Sequence, residues 1–188
     1  MNNHKKDVVI CMNCHGSYIK YWLEKSELVN FYNIKLIYNV NSLEDEKFKE
    51  NDINLLKNAD ILILQYIKKD RGMINHSYII NKFKKHSSKV IVIPHYTFSG
   101  YFYDGEIKND ILEIINNENF SIKNIDNILN NKVFNENNVL DFLDNELEHI
   151  KNLDKLSDVK MYNFFKTNFK KIKLFINRAH PLNYFFYE

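Results

Sequence analysis

An excess of charge of either sign is missing from this sequence. Its 26 Lys and Arg stand against 24 Asp and Glu, a net charge of +2, so nothing marks a nucleic-acid binder. The basic runs KFKKH (82–86) and FKKIK (169–173) read as solvated helix faces. Also missing is an apolar run of the ~20 residues that a membrane-spanning helix needs. The apolar segment after the charged start MNNHKK is too short for a secretory signal. A cytoplasmic protein is expected, with no stable membrane insertion, although the aromatic end YFFYE (184–188) leaves a membrane-surface role open. Cysteine is scarce: Cys11 and Cys14 are the only two, and a reducing compartment would keep both as thiols. No repeat and no Gly/Ser-rich linker interrupts the 188 residues, a length that suits one domain with a substantial core.

What is present is a succession of short apolar, β-branched runs. DVVIC (7–11), DILILQYI (60–67) and KVIVIP (89–94) are the strongest, with IKLIYNV (34–40) and KLFI (173–176) weaker. All are nearly continuous rather than alternating, the pattern of strands covered on both faces in a parallel sheet. Helical patterns fill the gaps at 15–32, 43–59 and 74–86, the first placing Ile19, Trp22, Leu23 and Leu28 near one stripe. The alternation predicts an α/β, doubly wound, mainly parallel sheet of about five strands, built with right-handed crossovers. After Pro94 comes an aromatic loop, HYTFSGYFYDGE (95–106), holding two of the four glycines. A mostly helical stretch at about 107–172 then precedes the last strand, its clearest amphipathic pieces at 138–153 and 159–169. We read 1–188 as a single domain with 107–172 as a helical cap region.

The chemistry-bearing stretch is Cys11-Met12-Asn13-Cys14-His15. As a string it matches the c-type haem attachment motif, but that chemistry belongs to an exported protein and the motif directly follows a buried-strand pattern. Zinc is poorly supported, because two cysteines and His15 would need a distant fourth ligand such as His4 or His95. A redox dithiol suits a strand–helix junction, yet Cys11 falls inside the strand run, where a cysteine acts as a small hydrophobe. Cys14 falls in the turn after the strand, at the carboxyl edge where open α/β sheets bind ligands. There the first free N–H groups of a helix favour a thiolate or an oxyanion. Cys14 is thus either a nucleophile or an inert residue at a helix start. The segment LFINRAHP (174–181) favours the nucleophile, since Asn177 and His180 follow the last strand. Together with Cys14 they make a Cys–His–Asn set, in which a base activates the thiol and an acceptor orients the base.

Four pieces in register, MNCH (12–15), ADILILQYI (59–67), VIVIPHYTFSGYFYD (90–104) and LFINRAHP (174–181), resemble the WcbI-type polysaccharide biosynthesis family. Its fold is similar to that of SGNH (GDSL-like) hydrolases, a flavodoxin-like arrangement. The resemblance implies an acyltransferase that binds coenzyme A or its acyl thioester and acts on capsule or surface polysaccharide. By that pattern Cys14 stands at the nucleophile position, and Asn177-x-x-His180 closes the triad. Gln65, Asn13 and the backbone N–H of Cys14 stand where an oxyanion is stabilised. The chain departs from the family pattern at Met12, at His15 and at Arg178-Ala179, and more helix is expected after Pro181 in a family member.

Acyl transfer from coenzyme A to a sugar hydroxyl is therefore the expected function. Either Cys14 carries the acyl group as a thioester, or His180 activates the acceptor while Cys14, Asn13 and Gln65 shape the oxyanion pocket. His15 belongs to the same polar group. His95 is a second acid or base at the same edge, with a structural role as its alternative. Tyr96, Gly100 and Tyr101 offer flat faces or close approach to an adenine, a pantetheine arm or a sugar. Phe98 and Phe102 are expected to plug the core instead. Lys68, Lys69 and Arg71 could hold phosphate, or else form a solvated loop. No metal and no haem are expected, and the partners are a small acyl donor and a carbohydrate acceptor. Self-association into a homo-oligomer is open. Two rival functions use the same scaffold: an esterase or hydrolase with water as acceptor, and a ligand-binding module without catalysis.

Overall fold

A computed structural model describes residues 5–38, 47–67, 71–96, 123 and 136–168. Within them the chain forms β1 (Lys6–Met12), α1 (His15–Lys25), β2 (Tyr32–Tyr38), α2 (Glu50–Asn58), β3 (Ile61–Gln65), α3 (His76–Phe83), β4 (Lys89–Ile93), α4 (Glu136–Asp154) and α5 (Tyr162–Asn168). Short 3-10 turns sit at Glu27–Asn30 and Gly72–Ile74.

The four strands form one sheet in the order β2-β1-β3-β4, and every pairing is parallel. The β-branched runs fall inside the sheet because both of its faces are covered. Val9, Cys11, Leu62 and Leu64 point to the face packed by α2 and α3. Val8, Ile10, Met12 and Ile63 point to the other, where Ile19 and Leu23 of α1 pack. Helices on both faces make the sheet doubly wound, as expected, with four strands among the described residues. The fifth expected strand (173–176) lies outside them.

α1 begins immediately after β1, with one residue, Gly16, held close against the sheet. A Cβ there would lie 2.9 Å from Leu36 Cδ1, 3.1 Å from Met12 Cβ and 3.3 Å from Ile10 Cγ2. The helix is shorter than the 15–32 pattern suggested. Ser26 is extended at φ −88° and ψ 167°, and its side chain accepts from Leu28 N to start a 3-10 turn. Leu28 is consequently 43% exposed rather than on the buried stripe. α2 likewise begins at Glu50, after an extended Lys49, later than the pattern at 43 suggested.

The two ends of the sheet differ in character. At the amino edge Asp60 stitches three strands together. Its N–H donates to Asp7 O at 2.8 Å, and its backbone O accepts from Lys89 N at 2.9 Å. Its Oδ2 accepts from Asp7 N at 2.8 Å. Lys35 bonds Asp7 at 2.8 Å and Lys85 bonds Asp60 at 3.3 Å. The carboxyl edge instead collects amides, imidazoles and a thiol.

A third apolar cluster, around Tyr96, Ile150 and Phe165, joins α4 and α5 to the segment after β4. Asp154, the last residue of α4, organises it. Its carboxylate accepts from Tyr96 Oη at 2.7 Å, Met161 N at 2.8 Å and Tyr162 N at 2.9 Å. The link between these helices also covers β4 at Val92, on the side away from β3. Asp158 N donates to Val92 O at 2.9 Å, and Val92 N donates to Asp158 Oδ2 at 2.7 Å.

Candidate functional site at the carboxyl edge

The register of the sheet decides which side chains meet. Cys11 pairs with Leu64 and Gln65 with Ile93, so β1, β3 and β4 end nearly level. Asn13, Cys14 and His15 follow β1, Gln65 ends β3, and His95 lies two residues past β4. The spacing of neighbouring strands, about 4.8 Å, separates β1 from β4 by two strand widths. Even so, the imidazoles of His15 and His95 meet edge to face, with centroids 4.4 Å apart. They bridge the end of β3, where Gln65 sits.

Two side-chain amides fix the turn that carries Cys14. Gln65 Oε1 accepts from Asn13 N at 2.9 Å, and Asn13 Oδ1 accepts from His15 N at 3.1 Å. Both carboxamide oxygens thereby serve the backbone. A carboxamide has one acceptor end and one donor end, so the NH2 group is the remaining end of each. Gln65 and Asn13 are 6% and 5% exposed. Carboxamide donors on two residues at the head of a helix are suited to a ligand oxygen that carries or develops negative charge.

The two cysteines occupy different chemical worlds. Cys11 is 2% exposed, and burial, reinforced by the charge of Asp52, pushes its thiol pKa far up. It stays protonated and inert. Cys14 sits at the N-cap of α1 and is partly exposed. Neither forms a disulfide. Covalent haem attachment does not fit these residues, because Cys11 lies in the core and His15 is 1% exposed. Among the described residues no cluster of three His, Cys, Asp or Glu could hold a metal ion.

The remaining expected site residues divide in two. Arg71 is partly buried at the start of the Gly72–Ile74 turn, at this same edge. Tyr96 belongs to the interior: its ring is wholly buried and its hydroxyl is engaged by Asp154. Burial, first of all, raises its pKa. Lys68, Lys69, Gly100, Tyr101, Asn177 and His180 lie outside the described residues, as do Phe98 and Phe102.

Sequence reasoning passed over Asn75 and His76. Asn75 caps α3 by accepting from Ser77 N and Tyr78 N, and its Nδ2 donates to Ile67 O at 2.8 Å. His76 Nδ1 lies 2.8 Å from Ile67 O and 3.2 Å from Ile67 N, while its ring packs tilted against Tyr66 at 4.6 Å. The pair anchors both ends of the segment that bears Lys68, Lys69 and Arg71. An Asn immediately before a helical pattern was the available signal.

The fold and this edge define an α/β protein whose candidate site lies where parallel sheets place ligands. Neither a family model nor any curated protein sequence matches the chain. Among solved structures it is similar to WcbI, described as a novel polysaccharide biosynthesis enzyme. That structure is of the native protein without a disulfide bond between coenzyme A and one of its cysteines. The TM-score is 0.68 at 11% identity, over 95% of this chain and 65% of that one. The shared feature is the fold, and the chain spans 65% of that protein's length.

Proposed function

We propose that this protein is a polysaccharide-biosynthesis enzyme of the WcbI-like, SGNH-related kind. It binds coenzyme A or its acyl thioester at the carboxyl edge and transfers the acyl group, acetyl in the simplest case, to a sugar hydroxyl. The observation that carries this reading is the Asn13-Cys14-His15 turn, locked by the Gln65 and Asn13 carboxamides, with a partly exposed Cys14 at the start of α1. The likeness in fold to WcbI, a structure of the native protein without a disulfide between coenzyme A and one of its cysteines, adds support, and we assign the corresponding role to Cys14.

In the chemistry we propose, the thioester carbonyl lies beside Cys14. Its oxygen accepts hydrogen bonds from the amides of Asn13 and Gln65 as negative charge develops. Attack by the Cys14 thiolate expels the coenzyme A thiolate, an exchange between two thioesters of similar energy. The sugar oxygen then attacks and releases Cys14. A base must take the sugar proton, and His180 is the candidate from the resemblance. His95, packed against His15, is a second candidate among the described residues. Arg71, with Lys68 and Lys69, is assigned to the phosphates.

Thermal unfolding of the native chain and of Cys14→Ala, with and without coenzyme A and acetyl-CoA, tests the binding claim. A ligand that binds the folded state alone raises the transition temperature, by about 2.7 kcal/mol of stability at a hundredfold excess over Kd. An upward shift in the native chain is expected, followed by sugar-dependent release of free coenzyme A. Absence of any shift at millimolar ligand refutes the reading. Release of coenzyme A without a sugar would instead assign a hydrolase.

A further inference from the structure

Beside the candidate site, an apolar groove of about 570 Å³ runs along α1. Its walls include Ile19, Trp22 and Leu23 of α1, Ile93 at the end of β4, and Met161 and Phe164 of the α5 region. The groove's near end lies one helical turn from the site. Ile19 lies one helical turn beyond His15 on the same face of α1, and Ile93 is two residues before His95. It continues as far as Ser26, so it follows about 10 Å of helix. That volume is within the usual range for a small-molecule site.

Its chemistry restricts the occupant. The polar side chains in the wall include Ser26, Tyr96 and Lys160, and each is engaged within the protein. Ser26 Oγ donates to Leu23 O at 2.8 Å and accepts from Leu28 N. The Tyr96 hydroxyl is held by Asp154. The Lys160 ammonium donates to the backbone oxygens of Asp154 and Ser157. A sugar or nucleotide in the groove would lose its hydration without recovering hydrogen bonds from these groups. An aliphatic chain has no such requirement.

We infer that this groove receives the straight aliphatic chain of a medium-length fatty acyl group, so that the preferred donor is a fatty acyl thioester rather than acetyl-CoA. The inference rests on the function proposed above. In this arrangement the carbonyl stays among Asn13, Cys14 and Gln65, and the chain lies along α1. Chain length then sets affinity. A fully buried methylene is worth about fourfold in Kd, and a half-open groove recovers a part of that, on the order of a hundredfold from acetyl to octanoyl.

The protein carries its own reporter, because Trp22 is the only tryptophan and stands in the groove wall. Its fluorescence is titrated in the full chain with coenzyme A, acetyl-CoA, octanoyl-CoA and octanoate, while thermal unfolding reports binding independently. The expected result is tighter binding of octanoyl-CoA than of acetyl-CoA, with a blue shift of Trp22. Phe164→Ala, at a site that is 43% exposed, should lose most of that gain and keep the affinity for coenzyme A. Equal affinities for coenzyme A, acetyl-CoA and octanoyl-CoA would overturn the inference and leave the coenzyme A reading intact. That is the pattern expected if a partner helix or another part of this chain fills the groove. Octanoate shifting Trp22 with no response to coenzyme A would support the groove and refute the coenzyme A reading. No response to any of the four would overturn both.

Discussion

Gly16→Ala is a one-carbon test of how the site is assembled. Gly16 is the second residue of α1, next to His15, and is buried. The added Cβ meets three atoms at 2.9, 3.1 and 3.3 Å, where ordinary contact between carbons is about 3.5–4.0 Å. The Leu36 methyl at the shortest distance can rotate aside. Met12 Cβ cannot, because it is one bond from the backbone of a central strand, and Met12 is wholly buried. α1 must therefore lift by several tenths of an ångström. Overpacking of this kind costs about 1–3 kcal/mol. Against it stands the better helix propensity of alanine, up to about 1 kcal/mol in a helix interior and less in the first turn. The net expectation is a loss of about 1–2 kcal/mol. Urea unfolding should show the midpoint falling by roughly 0.5–1 M with an unchanged slope. Leu36→Val in the same background should restore part of the loss, since contacting residues couple. A midpoint equal to or above that of the native chain would refute the close approach of α1 to β1. Because Cys14 and His15 ride on the same turn, ligand binding should weaken along with stability.

The two cysteines should separate under alkylation. Iodoacetamide near neutral pH is expected to label Cys14, while Cys11 reacts only after unfolding, as peptide mass spectrometry would reveal. Coenzyme A disulfide should add one coenzyme A per chain by thiol–disulfide exchange, at Cys14, and none to Cys14→Ala. Gln65→Leu removes the acceptor for Asn13 N and leaves that buried N–H unsatisfied, at a cost of about 1–3 kcal/mol. The variant should melt lower and lose acyl-CoA binding, and a melting point matching the native chain would count against the lock on the turn. Asp7 and Asp60 give a pH signature. The bond from Lys35 foremost lowers the pKa of Asp7, and the Asp7 N–H foremost lowers that of Asp60. Groups depressed on folding add stability above their ordinary value of 3.8 and lose it as pH falls through the lower folded value. Urea midpoints should therefore drop on acidification through that range, and Asp60→Asn should flatten the drop.

The strands were legible because burial on both faces leaves a simple trace. DVVIC, DILILQYI and KVIVIP each fell on a strand, the order of elements followed, and the doubly wound sheet came with it. The placement of Cys14 in the turn after β1 was legible too, from the switch between strand and helix periodicity. Ends of helices were harder to place. Ser26 stops α1 by an extended backbone and a side-chain bond to Leu28 N, a local contest between helix and turn that an apolar stripe through Leu28 does not register. Least visible were the contacts between distant residues. The Gln65–Asn13 bond joins positions 52 apart, and the His15–His95 contact needs the knowledge that β3 lies between β1 and β4. Tyr96 shows the same gap. In the sequence it heads an aromatic loop, but a carboxylate 58 residues further on draws its hydroxyl inward.

Among the described residues β4 is the last strand on its side of the sheet, and the way its open side is covered has a consequence for how copies of this protein behave when crowded. A strand edge with open N–H and C=O groups is a template for pairing with another chain, the first step toward a growing β-aggregate. At Val92 both groups are occupied by Asp158, one through its backbone and one through its carboxylate. An incoming strand would have to evict a charged side chain as well as break two hydrogen bonds. The same small loop that joins α4 to α5 thus guards the sheet against its own kind.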